Sequence, residues 1–317
     1  MTKFKAWISA ARLRTLPLSV SGIIIGSSLG CNHYIYSEKG LDMLNTQTSL
    51  AFYQTAIFWL AIATTLSLQI LSNFANDYGD GVKGTDNEDR VGPQRALQSG
   101  AISKKEMFTG ICITTIITLI VAITLIYVSF GKENFLYSLF YFFLGLAAIV
   151  AAIKYTMGNS AYGYRGLGDV FVFVFFGLVS VVGCYFLFTK QINIFIFLPA
   201  ITIGLLSTAV LNLNNMRDYE SDKKAGKNTL VVKLGIPKAR GYHFSILFIA
   251  MLSMVVYVYF NYVTIKSMLF LLTYTPLIIH IIKVKKTKSP KLLDPELKKV
   301  ALTTFLLALL FSLGQIL

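Results

Sequence analysis

Residues 73–86 read Asn73-Phe-Ala-Asn76-Asp77-Tyr78-Gly79-Asp80-Gly81-Val82-Lys83-Gly84-Thr85-Asp86, and they directly follow a mostly apolar run from Ser49 to Ser72. A run of that length is what a bilayer requires of a helix. Asp77 and Asp80 therefore lie where a membrane helix is predicted to end, and their i, i+3 spacing places both on one face of a helical turn. Because ionised side chains near membrane depth are costly and usually functional, this stretch predicts a functional site.

A second acidic stretch closes another apolar run further along the chain. Residues 214–222 read Asn214-Asn-Met-Arg-Asp218-Tyr-Glu-Ser-Asp222, and the two aspartates are spaced i, i+4. Both stretches contain the pattern Asn-x-x-x-Asp-Tyr, at residues 73–78 and 214–219. The repeated context predicts that the fold brings the two acidic clusters together.

The composition is that of a membrane protein. Of the 317 residues, 55% are apolar and 14% are charged, and the mean hydropathy is +0.64; soluble domains carry about 25% charged residues. We expect one integral-membrane domain over residues 1–317. The net charge of +14 is explained by the positive-inside bias rather than by nucleic-acid binding. Cys31, Cys112 and Cys184 all lie in apolar stretches, and their spacing fits neither a disulfide framework nor a zinc site.

The hydropathy pattern predicts an all-α fold with nine transmembrane helices and membrane lipid around them. The predicted helices cover about residues 16–36, 49–72, 106–130, 135–157, 170–188, 192–216, 242–262, 267–282 and 300–317.

Charge supports this count, because 25 of the 29 Lys and Arg residues then lie on one side of the membrane. The positive-inside rule makes that side cytoplasmic. It predicts a cell (inner) membrane protein with a cytoplasmic N-terminus and an external C-terminus. Both acidic stretches fall on the cytoplasmic side, together with the glycine-rich link over residues 158–169. A central cavity between the helices is therefore predicted to open toward the cytoplasm.

The chemistry of such a cavity follows from its charges. Four carboxylates, Asp77, Asp80, Asp218 and Asp222, would repel one another without a counter-charge. Mg²⁺ resolves this repulsion, since it takes one or two carboxylates and completes its shell with water and phosphate oxygens. Two carboxylate pairs around an anionic substrate therefore suggest a diphosphate held by Mg²⁺. A diphosphate at the membrane surface implies a lipid tail in the bilayer. Its negative charge could be shared by nearby basic residues, of which the sequence offers Lys83, Arg90, Arg95 and Lys227.

Two other classes of function stay open at this point. A cation-coupled secondary transporter would also use intramembrane acids, but inverted-repeat transporters place broken helices near the midplane. Here both acidic stretches lie at the ends of helices, on the same side of the membrane. A non-catalytic membrane scaffold would not need paired aspartates. Asp86, Glu88 and Asp89 are either further members of the acidic site or solvated loop charges.

The two motifs resemble the UbiA superfamily of intramembrane aromatic prenyltransferases over nearly the whole chain. The segments that resemble its MenA branch, the 1,4-dihydroxy-2-naphthoate polyprenyltransferases, are residues 76–86, Arg90-Val-Gly-Pro-Gln-Arg95, Tyr162-Gly-Tyr-Arg-Gly-Leu-Gly-Asp169 and residues 215–230. The resemblance implies nine transmembrane helices around an acidic, Mg²⁺-dependent cavity. It also implies transfer of a polyprenyl chain from polyprenyl diphosphate to a dihydroxynaphthoate, with loss of CO₂ and diphosphate, in menaquinone biosynthesis. Asn159-Ser-Ala161 departs from the proline-containing stretch of that branch.

The resemblance also implies roles for individual residues. Asp77 and Asp80 would hold one Mg²⁺ with help from Asn73 and Asn76, and Asp218 and Asp222 would hold another with help from Asn215. Lys83, Arg95 and Lys227 would bind diphosphate.

Several assignments stay open at the level of sequence. The rings of Tyr155 and Tyr164 either stabilise the allylic cation or pack as ordinary aromatic side chains. Asp169 either orients the cavity or caps a helix. The acceptor could be 4-hydroxybenzoate or another aromatic acid. His33, His243 and His280 lie away from both motifs and receive no chemical role, and nothing in the sequence marks where a prenyl tail would stop.

Overall fold

A computed structural model describes residues 2–36, 51–85, 95–262 and 264–316, and these ranges are helical with no strand. The helices are α1 (Lys3–Ala11), α2 (Leu16–Tyr36), α3 (Ala56–Lys83), α4 (Lys104–Phe130), α5 (Phe135–Lys154), α6 (Gly168–Thr189), α7 (Phe197–Arg217), α8 (Tyr219–Lys224), α9 (Leu230–Leu234), α10 (Ile236–Phe260), α11 (Tyr274–Lys286, preceded by a 3₁₀ segment over Ile265–Thr273) and α12 (Asp294–Ile316). Lys39, Asp86, Glu88, Asp89 and Arg90 lie outside the described residues.

Within those ranges, nine helical segments are long and apolar enough to cross a membrane, which confirms the predicted all-α fold and helix count. They are α2 to α7 and α10 to α12. Three short helices were not predicted: α1 precedes the first span, and α8 and α9 lie between α7 and α10.

The predicted end of the second span at Ser72 is too early, because α3 continues to Lys83. Asn73, Asp77 and Asp80 therefore lie within the helix, and all three are buried. Their polar groups bind partners inside the protein, so the helix continues where the apolar run ends. Gly84 stops it with a φ of 71°, in the left-handed region that suits glycine after a helix.

Two later helices also begin earlier than predicted. α10 starts at Ile236 instead of Tyr242, with Pro237 in its first turn. α12 starts at Asp294 instead of Val300, with Asp294 and Glu296 in its first turn. Proline and acidic residues are both favoured there, since the first amides have no partner within the helix and the dipole end is positive.

A stripe of glycines brings α2 into close contact with α6. Gly22, Gly26 and Gly30 lie four residues apart on one face of α2. A Cβ atom on Gly26 would lie 2.5 Å from the carbonyl oxygen of Val181, and one on Gly22 would lie 2.2 Å from Oγ of Ser180. Small residues at this spacing let helix backbones approach in membranes. The contact holds α6 beside α2 on one wall of the central cavity.

Candidate functional site

A cavity of 530 Å³ lies between α2 to α7 and α12. Its polar end is lined by Asn76, Asp80, Arg95 and Lys227, where α3 and α7 end. The rest of its wall is mainly apolar and runs deep into the helix bundle, as far as Tyr141 and Leu187. The cavity therefore has a charged head and a long apolar body.

The two acidic stretches meet at the charged head through one ammonium group. Nζ of Lys227 lies 3.8 Å from Oδ2 of Asp80 and 3.9 Å from Oδ1 of Asp222. Burial alone would lower the pKa of Lys227, but the carboxylates of Asp80 and Asp222 outweigh it and the pKa is raised. Burial raises the pKa of Asp222 to about 7, although Lys227 opposes that shift. Burial thus disfavours the ionised form of Asp222, and the ammonium of Lys227 lies between the carboxylates of Asp80 and Asp222.

A tight turn delivers Lys227 to this position. The chain leaves α8, and Gly226 adopts a φ of 69°. The amide of Lys227 donates to the carbonyl of Asp222 at 2.8 Å, and the amide of Asn228 donates to the carbonyl of Tyr164 at 3.1 Å. The side chain of Thr229 then caps α9. Glycine at this position permits the reversal, because residues with a side chain rarely adopt that conformation.

Tyr164 holds the carboxylate of Asp80 in place through its hydroxyl group. Its hydroxyl donates to Oδ1 of Asp80 at 2.8 Å and lies 2.6 Å from Oγ1 of Thr85. Burial and the neighbouring carboxylate of Asp80 raise the pKa of Tyr164, so the hydroxyl stays protonated at neutral pH. Nζ of Lys83 lies 4.0 Å from the centre of the tyrosine ring, and that of Lys227 lies 5.3 Å from it. Neither Tyr164 nor Lys83 lines the cavity.

Asp77 faces a different way from Asp80. Its Oδ2 accepts from the amide of Ala96 at 3.2 Å, and its Oδ1 accepts from the amide of Leu97 at 3.4 Å. The side chain is buried and does not line the cavity. Arg95, directly before these amides, does line it. Asp77 therefore holds the backbone that carries Arg95.

The second acidic stretch contains a buried ion pair that sequence reasoning did not find. Arg217 donates from Nε and Nη2 to the two oxygens of Asp218, at 2.8 and 2.6 Å. Its Nη1 donates to Oδ1 of Asp294 at 2.5 Å, and Nη2 also donates to Asn214 at 2.9 Å. Arg217, Asp294 and Asn215 line the cavity, whereas Asp218 and Asp222 lie behind them. Arg217 and Asp294 are 77 residues apart, so no local pattern links them.

Aromatic side chains form the wall next to the charged head. Tyr155 lines the cavity and contacts Tyr162 edge-on with 5.3 Å between ring centres. Tyr162 stacks on Phe171 at 3.8 Å, and both also line the cavity. Asp169 accepts a hydrogen bond from the hydroxyl of Tyr242 at 3.1 Å, and makes no side-chain cap at the start of α6. It links α6 to α10.

The residue set suits Mg²⁺ that arrives with an anionic substrate. No three His, Cys, Asp or Glu side chains form a ready-made metal centre in the described ranges. Mg²⁺ does not need one, since it uses one or two carboxylates and fills its other positions with water and phosphate. Asp80 and Asp222 present carboxylate oxygens of the kind that Mg²⁺ takes as ligands, and the ammonium of Lys227 lies between them. Asn73, Asn76 and Asn215 add amide oxygens along the cavity wall.

Other proteins with this sequence pattern are known. Residues 40–310 match the UbiA prenyltransferase family. The chain is 44% identical over 312 residues to 1,4-dihydroxy-2-naphthoate octaprenyltransferase of Haemophilus influenzae, covering 98% of this chain and 96% of that protein. It is 38% identical over 314 residues to the enzyme of the same name from Escherichia coli K12, covering 99% and 96%.

Solved structures show the same fold at low sequence identity. A UbiA homolog from Aeropyrum pernix K1 superposes with a TM-score of 0.66 at 14% identity, over 96% of this chain and 98% of that one. A UbiA homolog from Archaeoglobus fulgidus bound to DMAPP and Mg²⁺ superposes with a TM-score of 0.57 at 15% identity, over 97% and 99%.

Proposed function

The chain belongs to the UbiA prenyltransferase family, and on that premise we propose that it prenylates 1,4-dihydroxy-2-naphthoate. The donor is a polyprenyl diphosphate, and the product is demethylmenaquinol, an intermediate of menaquinone biosynthesis. Membership of this family sets aside the transporter and scaffold hypotheses.

One observation carries the proposal: Lys227 lies between Asp80 and Asp222 at the head of a long apolar cavity. A charged head with an apolar body matches a molecule that is a diphosphate at one end and an isoprenoid at the other. Lys227 and Arg95 are among the cations that line the cavity, and they bind the diphosphate. Lys83 does not line the cavity and contacts the ring of Tyr164.

Asp80, Asn76 and Asn73 on α3 would hold Mg²⁺ at the same end, together with Asp222 and Asn215 from the second acidic stretch. When bound, it neutralises the charge that develops on the departing diphosphate. Asp218 lies next to these residues and accepts a hydrogen bond from Arg217, which also donates to Asp294. Because Asp294 shares the guanidinium, Asp218 can turn toward a cation without leaving a buried arginine uncompensated.

The reaction breaks the bond between the first prenyl carbon and the diphosphate oxygen. The ring carbon that bears the carboxylate forms the new bond to the prenyl group, and loss of CO₂ returns its electron pair to the ring. Tyr155 and Tyr162 lie beside the charged head, where their ring faces stabilise the allylic cation. The buried wall excludes water, which would otherwise trap the cation.

The acceptor is tested by following the carboxyl carbon. Carboxyl-labelled 1,4-dihydroxy-2-naphthoate with octaprenyl diphosphate should release one labelled CO₂ for each prenylated product. Attack beside a phenol, as on 4-hydroxybenzoate, loses only a proton and keeps the acid. If the enzyme prenylates 4-hydroxybenzoate efficiently and ignores the naphthoate, the reaction class stands but the acceptor assigned here is wrong.

We also propose that the charged head opens to the cytoplasm in the cell (inner) membrane, with the N-terminus cytoplasmic and the C-terminus outside. The lysine and arginine distribution supports this orientation. In a variant without its native cysteines, an impermeant thiol reagent added outside should label Lys132→Cys but not Lys104→Cys or Lys224→Cys. The reverse labelling pattern would invert the topology.

A further inference from the structure

A row of buried polar side chains joins α10, α11 and α12, and none of them lines the cavity. Nε2 of His243 on α10 lies 2.8 Å from Nε2 of His280 on α11. Nδ1 of His280 lies 2.6 Å from Oε2 of Glu296 on α12, whose other oxygen accepts from Nζ of Lys299 at 2.6 Å. Both histidines are fully buried, and Glu296 is 4% exposed. Ionisable groups between membrane helices are costly and usually functional, so a role is expected for this row.

The direction of these hydrogen bonds follows from the carboxylate at one end. A carboxylate only accepts, so Nδ1 of His280 donates to Glu296. Nε2 of His280 is then free to accept from Nε2 of His243. Reversing that second bond would place a proton on Nδ1 of His243, which is buried and has no hydrogen-bond partner in the described ranges; a buried donor without an acceptor is costly. We call the row His243, His280 and Glu296 the His–His–Glu chain.

The His–His–Glu chain ends on the turn of α12 that forms part of the cavity wall. Within residues 294–298, every side chain except that of Glu296 lines the cavity. Residues two apart on a helix point about 200° apart. Glu296 therefore faces α11, whereas Asp294 faces α7 and accepts from Nη1 of Arg217 at 2.5 Å. One side of this turn is held by the histidines, and the other side contacts the second acidic stretch.

We propose that the His–His–Glu chain positions the charged head for the reaction, by holding the first turn of α12 so that Asp294 keeps Arg217 in place. The inference rests on the proposed function, because it takes the charged head as the site of prenyl transfer. Arg217 also donates to both oxygens of Asp218. Once the turn moves away, Arg217 loses Asp294 and pairs with Asp218 alone. A misplacement of about 1 Å far from the chemistry can cost about a hundredfold in rate.

The first test breaks the bond between α11 and α12 and then restores it. Glu296→Ala and His280→Gln should each lower kcat/KM for octaprenyl diphosphate by about tenfold or more, measured per folded protein. His280→Asn should recover most of that loss, because its shorter amide donates from near the position of Nδ1. The amide of glutamine lies instead near the position of Nε2.

The second test needs neither Mg²⁺ nor substrate. The amides of residues 298–301 bond to the carbonyls of residues 294–297. Their hydrogen–deuterium exchange in EDTA should speed up in Glu296→Ala and His280→Gln, because the first turn of α12 opens more often. His280→Asn should exchange close to the wild type.

A double-mutant cycle tests whether the chain acts through Asp294. Glu296→Ala should lower kcat/KM little further once Asp294→Asn is present, since residues that act as one unit are not additive. Thr304→Val is the matched control on α12. Thr304 is buried and donates to the carbonyl of Val300 in the same helix, so its loss does not release α11. This variant should leave both kcat/KM and exchange unchanged.

Three results would overturn the proposal. In the first, Glu296→Ala and His280→Gln lower the melting temperature but leave kcat/KM and exchange at wild-type values. In the second, His280→Asn loses as much activity as His280→Gln. In the third, the effects of Glu296→Ala and Asp294→Asn simply add. A wild type that transfers no prenyl group overturns the proposed function and this role with it, whereas an active wild type with unaffected variants overturns this role alone.

Discussion

Replacing Asp80 with asparagine is expected to lower kcat/KM by roughly two to three orders of magnitude, the scale seen when a preorganised electrostatic contact to developing charge is removed. Asparagine keeps the shape of the side chain and can still accept the hydrogen bond from Tyr164. It loses the negative charge, so that of the two carboxylates beside Lys227 only Asp222 remains. Both binding of Mg²⁺ and stabilisation of the leaving diphosphate should weaken together.

The measurement is turnover as a function of Mg²⁺ concentration. Wild-type turnover should vanish with EDTA and return when Mg²⁺ is restored, whereas Asp80→Asn should need more Mg²⁺ and reach a lower maximum. Glu106→Gln is the matched control, since it also exchanges a carboxylate for an amide. Glu106 caps the start of α4 and pairs with Lys3, outside the cavity lining. Near-normal turnover of Asp80→Asn at limiting Mg²⁺ would contradict the two-carboxylate site.

The number of spanning helices could be predicted because two independent signals agree on it. Hydropathy marks each apolar run, and the lysine and arginine distribution checks which runs must alternate sides. The end of α3 could not be read in this way. Its last turns carry Asn73, Asn76, Asp77 and Asp80, which look like a loop by composition. These residues are helical because distant parts of the chain provide hydrogen-bond partners for their side chains. The local sequence does not predict those partners.

The two acidic stretches were predicted to meet, and the structure joins them through Lys227. The direction of each side chain was harder to predict. Asp77 and Asp80 are about 60° apart around the helix, which is close enough to count as one face. That angle is still sufficient to send Asp80 into the cavity and Asp77 toward the amides of Ala96 and Leu97. The i, i+3 spacing alone does not predict that these two side chains point in different directions.

Other contacts between distant elements could not be predicted from the sequence. Asp294 reads in the sequence as an acid near a helix start, which helix dipoles favour anywhere. Its contact with Arg217 depends on how α12 packs beside α7. The ring contacts of Tyr141 with Phe130 and Phe186 likewise join three helices, α4, α5 and α6.

Asp77→Asn should separate a positioning role from a metal-binding one. Asp77 accepts two backbone hydrogen bonds, and such bonds to a charged group are each worth about 1.5–3 kcal/mol. Asparagine has one acceptor oxygen and turns a donor toward the other amide. The backbone after Arg95 should therefore shift, and the guanidinium should lose its place at the charged head. We expect the KM for polyprenyl diphosphate to rise about ten- to a hundredfold, with the Mg²⁺ half-saturation close to that of the wild type.

A double-mutant cycle with Arg95→Gln tests whether Asp77 acts through Arg95. Residues that act as one unit are not additive, so Asp77→Asn should cost little more once Arg95 has been replaced. The same change combined with Phe140→Ala, on the outer face of α5, should keep its full effect. If Asp77→Asn instead raises the Mg²⁺ half-saturation as Asp80→Asn does, Asp77 is a metal ligand, as the resemblance to the family first implied. Its amide contacts with Ala96 and Leu97 would then have to break when substrate binds.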